Sequence, residues 1–435
     1  MFSKVVIRFI LLAVFIVAFI LIVGYARGYR LNFGKQEVTS TGILVATSAP
    51  DAAKIYINGE LYGVTNSNIT LPPGDYHVEL KKEGYSTWAT DLKLKGELVM
   101  RADGILFPQN PSLSPLTSLG IVKAFYYEKS NNVILLADSG EAATIPAELA
   151  KDGIYFLDNA RRQLSLFNPL KLLVAKRLFP AGVNFADATI SMSPDQKEML
   201  FEVGSRTYLL STTEETTDLI DVTKSKAAVL AVWKTKQEAD LKKVLETFKK
   251  PFPQIASTSF DIVSFSPDET KILYVAKQAV TIPKILNPGL VSINQRPQTR
   301  SIQIGRVYIY DKKEDTNYEL TPPQSIADLI TNIPVLPTTL PATRVSTLPD
   351  DLGTNHYAAT LTSKLIWYPD SKHIIMRETS KITIVDYDNS NKQTVYSGPI
   401  ESDFISITSD GRLLILANLN PQTNKLPDVY AVGIR

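Results

Sequence analysis

The sequence predicts an all-β chain carried on one N-terminal transmembrane helix: a small β module, then a β-propeller of about five to seven blades with one helical insertion. Three observations predict it. Residues 9–23 contain no polar side-chain atom. Short runs with apolar residues two apart then alternate with Asn-Gly and Pro-Gly turns. Finally, a strand-turn-strand unit built on Ser-Pro-Asp or a close variant recurs through the last three quarters of the chain.

The apolar run, with Val5–Leu12 before it and Gly24 after, is about 20 residues long. At ~1.5 Å rise per residue it matches the ~30 Å hydrocarbon core of a bilayer. Phe9, Leu12, Phe15, Phe19, Leu21 and Val23 are expected to face lipid. Gly24-Tyr25-Ala26 is a weak match to a signal-peptide cleavage site, but the run is at the upper limit for a signal h-region. Three basic residues (Arg27, Arg30, Lys35) follow closely. Residues 1–29 are therefore expected to remain as an anchor with basic flanks, N-terminus cytoplasmic and the rest outside.

Composition narrows the function. The chain has 46 Lys+Arg and 44 Asp+Glu. Five basic residues and no acid lie in residues 1–35; subtracting those five leaves 41 basic against 44 acidic, a net −3 for the remainder. A near-neutral body lacks the basic face that nucleic acid requires, whereas the basic flanks suit lipid headgroups. With no cysteine, disulfides, thiolate catalysis, Cys-ligated metal and a lipid-modified Cys are excluded. No cofactor is implied.

Residues 30–41 read as a short stalk. In residues 42–107, Ile43, Val45 and Thr47 alternate, and Ile55-Tyr56-Ile57 meets Asn58-Gly59, a strong hairpin signal because a type I′ turn needs positive φ twice. Pro72-Pro73-Gly74-Asp75 turns the chain again. Tyr76, Val78 and Leu80 then share one face, and Leu92 and Leu94 keep the same period. Ala49-Pro50-Asp51-Ala52-Ala53 before Lys54-Ile55-Tyr56-Ile57-Asn58-Gly59, with Leu71-Pro72-Pro73-Gly74-Asp75-Tyr76 and Lys82-Glu83-Gly84-Tyr85 downstream, resembles the PEGA domain, named for Pro-Glu-Gly-Ala. Asp51 stands for the Glu and Ala52 for the Gly. The resemblance implies a small surface-exposed β-sandwich without enzymatic activity of its own, often an adaptor beside a membrane anchor. Three prolines in residues 108–117 read as an extended linker.

Residues 118–435 carry the repeat. Ile190–Asp195, Val263–Asp268, Leu365–Asp370 and Ile405–Gly411 each precede a second apolar strand. Pro presets φ at such a turn and Asp bonds the backbone beyond it. Asp195, Asp268, Asp370 and Asp410 are therefore read as structural turn formers rather than as a functional ring. Strand-turn-strand units at a ~40-residue period signal a propeller, and the Ser-Pro-Asp turn resembles the WD40-like repeats of TolB-type propellers. Three insertions interrupt the period. Residues 225–250 read as a helix, with Leu241, Val244, Leu245 and Phe248 on one stripe and Pro251 as its stop. Residues 278–303 and 321–355, the latter with six prolines, read as long loops, where binding usually resides.

Candidate chemistry is sparse. There is no Gly-x-Ser-x-Gly elbow and no His-Glu-x-x-His. His77, His356 and His373 are the only histidines, and ordinary surface or turn roles suit them. Asp386–Asn391 is similar to a calcium loop but lacks its Gly and distal Glu, so a solvated turn is expected. Trp88, Trp233 and Trp367 are candidate sugar-stacking surfaces, but Trp367 occupies the repeat's core position and is expected to be buried; Trp233 is the best candidate for an exposed aromatic partner contact, although a pin onto the propeller suits it better. The expected function is non-catalytic: a cell-surface protein of the envelope that binds a protein or polysaccharide partner, or supports an assembly. The alternative is a surface hydrolase or lyase working in the propeller's central cleft.

Overall fold

A computed structural model describes residues 2–26, 29–32, 37–127, 132–139, 151–158, 170–290, 294–331, 361 and 364–434. The chain divides into two compact units, residues 1–109 with 288–297, and residues 110–287 with 298–435.

The first unit opens on helix α1, Phe2–Ala26, of which Val6–Gly24 is apolar enough and long enough to cross a membrane. Where a stalk was expected at residues 30–41, Tyr29–Asn32 pairs antiparallel with Glu37–Ser40. Backbone groups of a short segment satisfy one another in a hairpin at less cost than an extended strand leaves them. The β module is a sandwich of two sheets. In one, Gly42–Ala49 lies between Ser67–Leu71 (antiparallel) and Val99–Ile105 (parallel). In the other, Lys54–Ile57 lies between Glu60–Val64 and Gly74–Lys81, and Trp88–Leu94 forms the far edge. Leu44, Ile55, Val78, Leu80 and Trp88 fill the space between the sheets. The Asn58-Gly59 turn has φ of +52° and +86°, as the hairpin required.

Among the described residues the second unit contains five four-stranded antiparallel sheets, each a blade. Blade 1 is Ile121–Tyr127, Asn132–Ala137, Gly153–Leu157 and Leu170–Ala175. Blade 2 is Thr189–Met192, Glu198–Val203, Arg206–Ser211 and Ile220–Asp221, and blade 3 is Phe260–Phe265, Lys271–Ala276, Val307–Asp311 and Thr316–Leu320. Blade 4 is Leu365–Trp367, His373–Arg377, Lys381–Asp386 and Gln393–Ser397. Blade 5 is Ile405–Ile407, Leu413–Ala417 and Asp428–Gly433, and its fourth strand is Ser112–Pro115, from the other end of the chain.

That fourth strand corrects the reading of residues 108–117 as a linker, and moves the start of the propeller ahead of residue 118. Leu113 pairs with Val432 and Pro115 with Tyr430. Proline is tolerated because the strand is at the sheet edge, where no neighbour needs its missing N–H. Thr117 Oγ1 donates to Asp428 Oδ1 at 2.9 Å, and Leu119 N donates to the same oxygen at 2.8 Å, locking the seam.

Contacts between blades run from each to the next and return. Blades 1 and 2 share a core around Ile134, Leu136, Phe179, Phe185 and Phe201. Blades 3 and 4 share Leu273, Ile309, Leu365, Trp367 and Val385. Blades 5 and 1 share Leu414, Leu416, Val133 and Leu135. Blades 4 and 5 are joined by Tyr368 Oη donating to the Gly411 carbonyl at 3.3 Å. Between blades 2 and 3 the bridge is helical. In α2, Lys226–Glu246, Lys226 pairs with Glu202 at 2.5 Å and Lys236 with Asp195 at 3.1 Å. Leu245 and Phe248 then bury against blade 3, where Phe252 of α3, Phe252–Ser259, stacks on Tyr310 at 3.9 Å. Each fully buried side chain of this size contributes roughly 1.5–3 kcal/mol, so the apolar seams outweigh the exposed ion pairs at ~0–1 kcal/mol each.

Candidate binding end of the propeller

In an antiparallel meander successive connections alternate between the two ends of a sheet. The turn after the first strand and the connection after the third therefore share one end. The connection after the second strand and the passage to the next blade share the other.

The Asp turns occupy the first end. Ser193 Oγ donates to Asp195 at 2.8 Å and accepts Glu198 N at 3.1 Å. Ser266 does the same with Asp268 at 2.8 Å and Lys271 N at 2.9 Å. Thr408 repeats it with Asp410 and Arg412 N. In each turn the residue after Asp has positive φ: Gln196 +58°, Glu269 +54°, Ser371 +61° and Gly411 +86°. Only the last is glycine, and there a side chain would also strike Tyr368 Oη, 2.2 Å from the position of a Cβ. Hydrogen bonds from the Ser or Thr hydroxyls hold these carboxyls below the usual range, Asp195 at about 2 with help from Lys236. Burial opposes this at Asp268 and Asp410, but the hydroxyls and the Lys313 and Arg412 cations prevail. Their acceptors are engaged by these hydroxyls and by the Lys236, Lys313 and Arg412 cations.

Blade 4 departs from the pattern. Tyr368 stands where the others have Ser or Thr, and a histidine supplies the missing donor. His373 is 4% exposed, with Nδ1 2.6 Å from Asp370 Oδ2 and Nε2 3.1 Å from Asp386 Oδ1. Burial pushes its pKa down, but the two carboxylates override this and push it up to about 10. It is an imidazolium clamped within the blade, a turn histidine but not a surface one. His77 is an exposed neighbour of Asp91, and His356 lies outside the described residues.

The calcium-like segment is committed elsewhere. Asp386 accepts from His373 and from Asn391 Nδ2 at 2.9 Å, and Asp388 accepts Ser390 N at 3.0 Å. Among the described residues no group of three or more His, Asp or Glu is placed to hold a metal ion.

All three insertions leave from the opposite end, since α2–α3 and the helix at Gln324–Thr331 (α4) are passages to the next blade and residues 277–306 follow a second strand. Leu245 of α2 and Phe248 just beyond its end are buried, and Leu241 and Val244 pack beside them, so this apolar face is seated on the propeller. Trp233 shares that stripe and is half-buried. Trp88 and Trp367 are core residues at 8% and 1% exposure.

The expected loop at 278–303 is anchored at two places. Asp315, 4% exposed, accepts Ile285 N at 2.7 Å, Leu286 N at 2.9 Å and Tyr310 Oη at 3.0 Å, and pairs with Arg300. The tip belongs to the first unit. Gln295 Oε1 accepts Lys93 N at 2.6 Å and its Nε2 donates to Lys93 O at 3.1 Å, so one side-chain amide mimics a strand residue on the sandwich edge. The expected loop at 321–355 begins as helix α4, Gln324–Thr331, because Ile326 and Ile330, four apart, enter the core between blades 3 and 4. Residues 332–355 lie outside the described residues.

On the same end, the passage into blade 4 and the passage into blade 5 flank a cleft of about 430 Å³. Lys364, Arg377, Glu378, Ser402 and Asp403 line it. Nothing in the sequence pattern marks these residues. Arg377 reads as the ordinary end of a strand, and its neighbours come from another blade.

Along α1, Phe9 and Phe15 are each 68% exposed, Phe19 59%, Leu21 56%, Leu12 54% and Val23 38%. Exposed apolar side chains on every side of a helix need a non-aqueous surrounding.

Solved structures with some likeness include a TolB-like protein of Agrobacterium tumefaciens, at 11% identity and TM-score 0.19, covering 68% of this chain and 70% of that one. A luciferin-regenerating enzyme aligns at 10% identity and TM-score 0.18, covering 74% and 95%. Hsv2 of Kluyvelomyces marxianus aligns at 8% and 0.14, covering 81% and 69%. Likenesses this low carry no argument, and the fold assignment stands on sheet topology. No curated protein matches the chain. The family model of the PEGA domain matches residues 41–109, and the sandwich built by those residues is a PEGA domain.

Proposed function

We propose that this chain is a non-catalytic, single-pass membrane protein, N-terminus cytoplasmic and propeller outside the cell, that binds an envelope protein or polysaccharide. The partner is taken at the insertion-bearing end of the ring. The observation that supports this reading is that all three insertions leave the blades from one end, while the Asp turns at the other bond their own Ser and Thr hydroxyls. The exposed apolar helix supports a lipid anchor, and Lys4 and Arg8 before it support the orientation.

The test is affinity capture from an envelope extract with the full chain and with a chain lacking residues 332–355, both checked by circular dichroism. The deletion spares Ile326 and Ile330, which are core. Loss of a captured component with the ring intact supports the reading. Undiminished capture by the shortened chain overturns this placement of the site.

A further inference from the structure

The cleft between blades 4 and 5 holds an unusual cation. Arg377 is 5% exposed, and its Nη2 donates to the Ser402 carbonyl at 3.2 Å. Among the described residues its Nε and Nη1 have no hydrogen-bond partner. Burial lowers the pKa of this guanidinium, with Asp403 opposing. A buried charge without a full set of partners is costly, and it marks where a counter-ion belongs.

The neighbouring acids are already engaged. Asp403, exposed, pairs with Lys364 at 3.0 Å. Glu378 is shared between Lys381 at 3.4 Å and Lys392 at 3.7 Å, and accepts Thr383 Oγ1 at 3.1 Å. Four cations thus face two carboxylates, and the surplus is centred on Arg377. A carboxylate offers about four acceptor sites, so both acids keep capacity for further donors, and Thr379 adds a hydroxyl to the same lining. A dianion would meet Glu378 and Asp403 at close range, whereas a monoanion that also carries hydroxyl groups finds a partner for each part. The volume of about 430 Å³ suits one or two sugar rings.

We propose that this cleft binds a sugar acid, with Arg377 and Lys364 facing its carboxylate and Asp403, Glu378 and Thr379 receiving its hydroxyls. This rests on the reading of the insertion-bearing end as the binding end and gives its ligand a chemical class.

The test is calorimetric titration of the detergent-solubilised full chain with glucuronate, glucose and inorganic phosphate. Glucuronate binds, and glucose and phosphate bind at least about tenfold more weakly, as loss of a charge-assisted contact or a hydroxyl contact requires. Arg377→Gln abolishes the preference for glucuronate over glucose. Lys364→Gln, at a side chain nearer the surface, weakens glucuronate by several-fold with an unchanged thermal midpoint, which keeps the test valid if Arg377→Gln fails to fold. Equal binding of phosphate, equal binding of glucose, or no glucuronate binding each overturns the proposal. If glucuronate fails while the full chain still captures an envelope component and the 332–355 deletion does not, the sugar-acid site falls and the wider reading stands.

Discussion

His373 and Asp370 form a 2.6 Å charge-assisted contact that replaces, in blade 4, the Ser–Asp contact of blades 2 and 3. The replacement brings a titrating group into the propeller, because the imidazolium is also held by Asp386 on the neighbouring strand.

The pH dependence follows from the direction of each shift. His373 is raised from an unfolded value near 6.5 to about 10, so its contribution is fully present below ~6.5 and is lost as pH climbs through about 10. Asp370 is lowered: burial works against this, but the His373 charge outweighs it, so its contribution is present above the unfolded value of ~3.9 and fades as pH falls through the folded one. His373→Asn leaves two carboxylates facing a buried gap and costs about 3–5 kcal/mol at neutral pH. The gap between the thermal midpoints of native chain and variant should be widest just below pH ~6.5, narrow as pH rises through neutrality, and be smallest above about pH 10. A gap that does not change across that range would refute the imidazolium assignment.

The turns with positive φ predict stabilising substitutions. Gln196→Gly and Glu269→Gly relieve a left-handed conformation that costs a non-glycine residue roughly 1–2 kcal/mol, offset in part by the freer unfolded chain. Each should raise stability by about 0.5–1 kcal/mol in urea unfolding. Gly411→Ala should do the reverse and by more, because Tyr368 also occupies the space.

Ala52 offers a parallel case in the sandwich. It sits at φ +61°, at the position where the PEGA signature has glycine. Ala52→Gly should stabilise the domain by a few tenths to about 1 kcal/mol. A destabilised variant, read by the same unfolding measurement, would mean that the methyl group packs favourably enough to outweigh the strain.

The amide of Lys93 should report on the long connection of blade 3. With Gln295 in place that N–H is bonded at 2.6 Å. In Gln295→Ala its hydrogen exchange should accelerate at least tenfold while amides in the sandwich core, such as that of Val78, keep theirs. Unchanged exchange at Lys93 would show the edge to be protected by other means.

Much of this architecture was legible in the residues because it is local. Asn58-Gly59, the Ser-Pro-Asp turns and the stripe Leu241–Phe248 each specify backbone geometry within a few positions. What escaped is non-local. Ser112–Pro115 looks like a linker because three prolines surround a segment whose hydrogen-bond partners lie at Tyr430–Gly433. The Gln324–Thr331 helix was hidden in a proline-rich stretch whose only cue, Ile326 and Ile330, gains meaning from the blades it enters. The Arg377 cleft joins passages into two blades, and no spacing rule links Lys364, Arg377 and Ser402. His373 read as an ordinary turn histidine because Asp386 is its neighbour only through strand pairing.

The seam of blade 5 also sets an order on biosynthesis. Thr117 and Val429, bonded through the Thr117 hydroxyl at 2.9 Å, are separated by 312 positions. At about 5–20 residues per second of translation, the early strand waits roughly 15–60 s for its mate to emerge. Through that interval the early strand has no mate within the chain, and the ring closes only once residues 429–433 have been made.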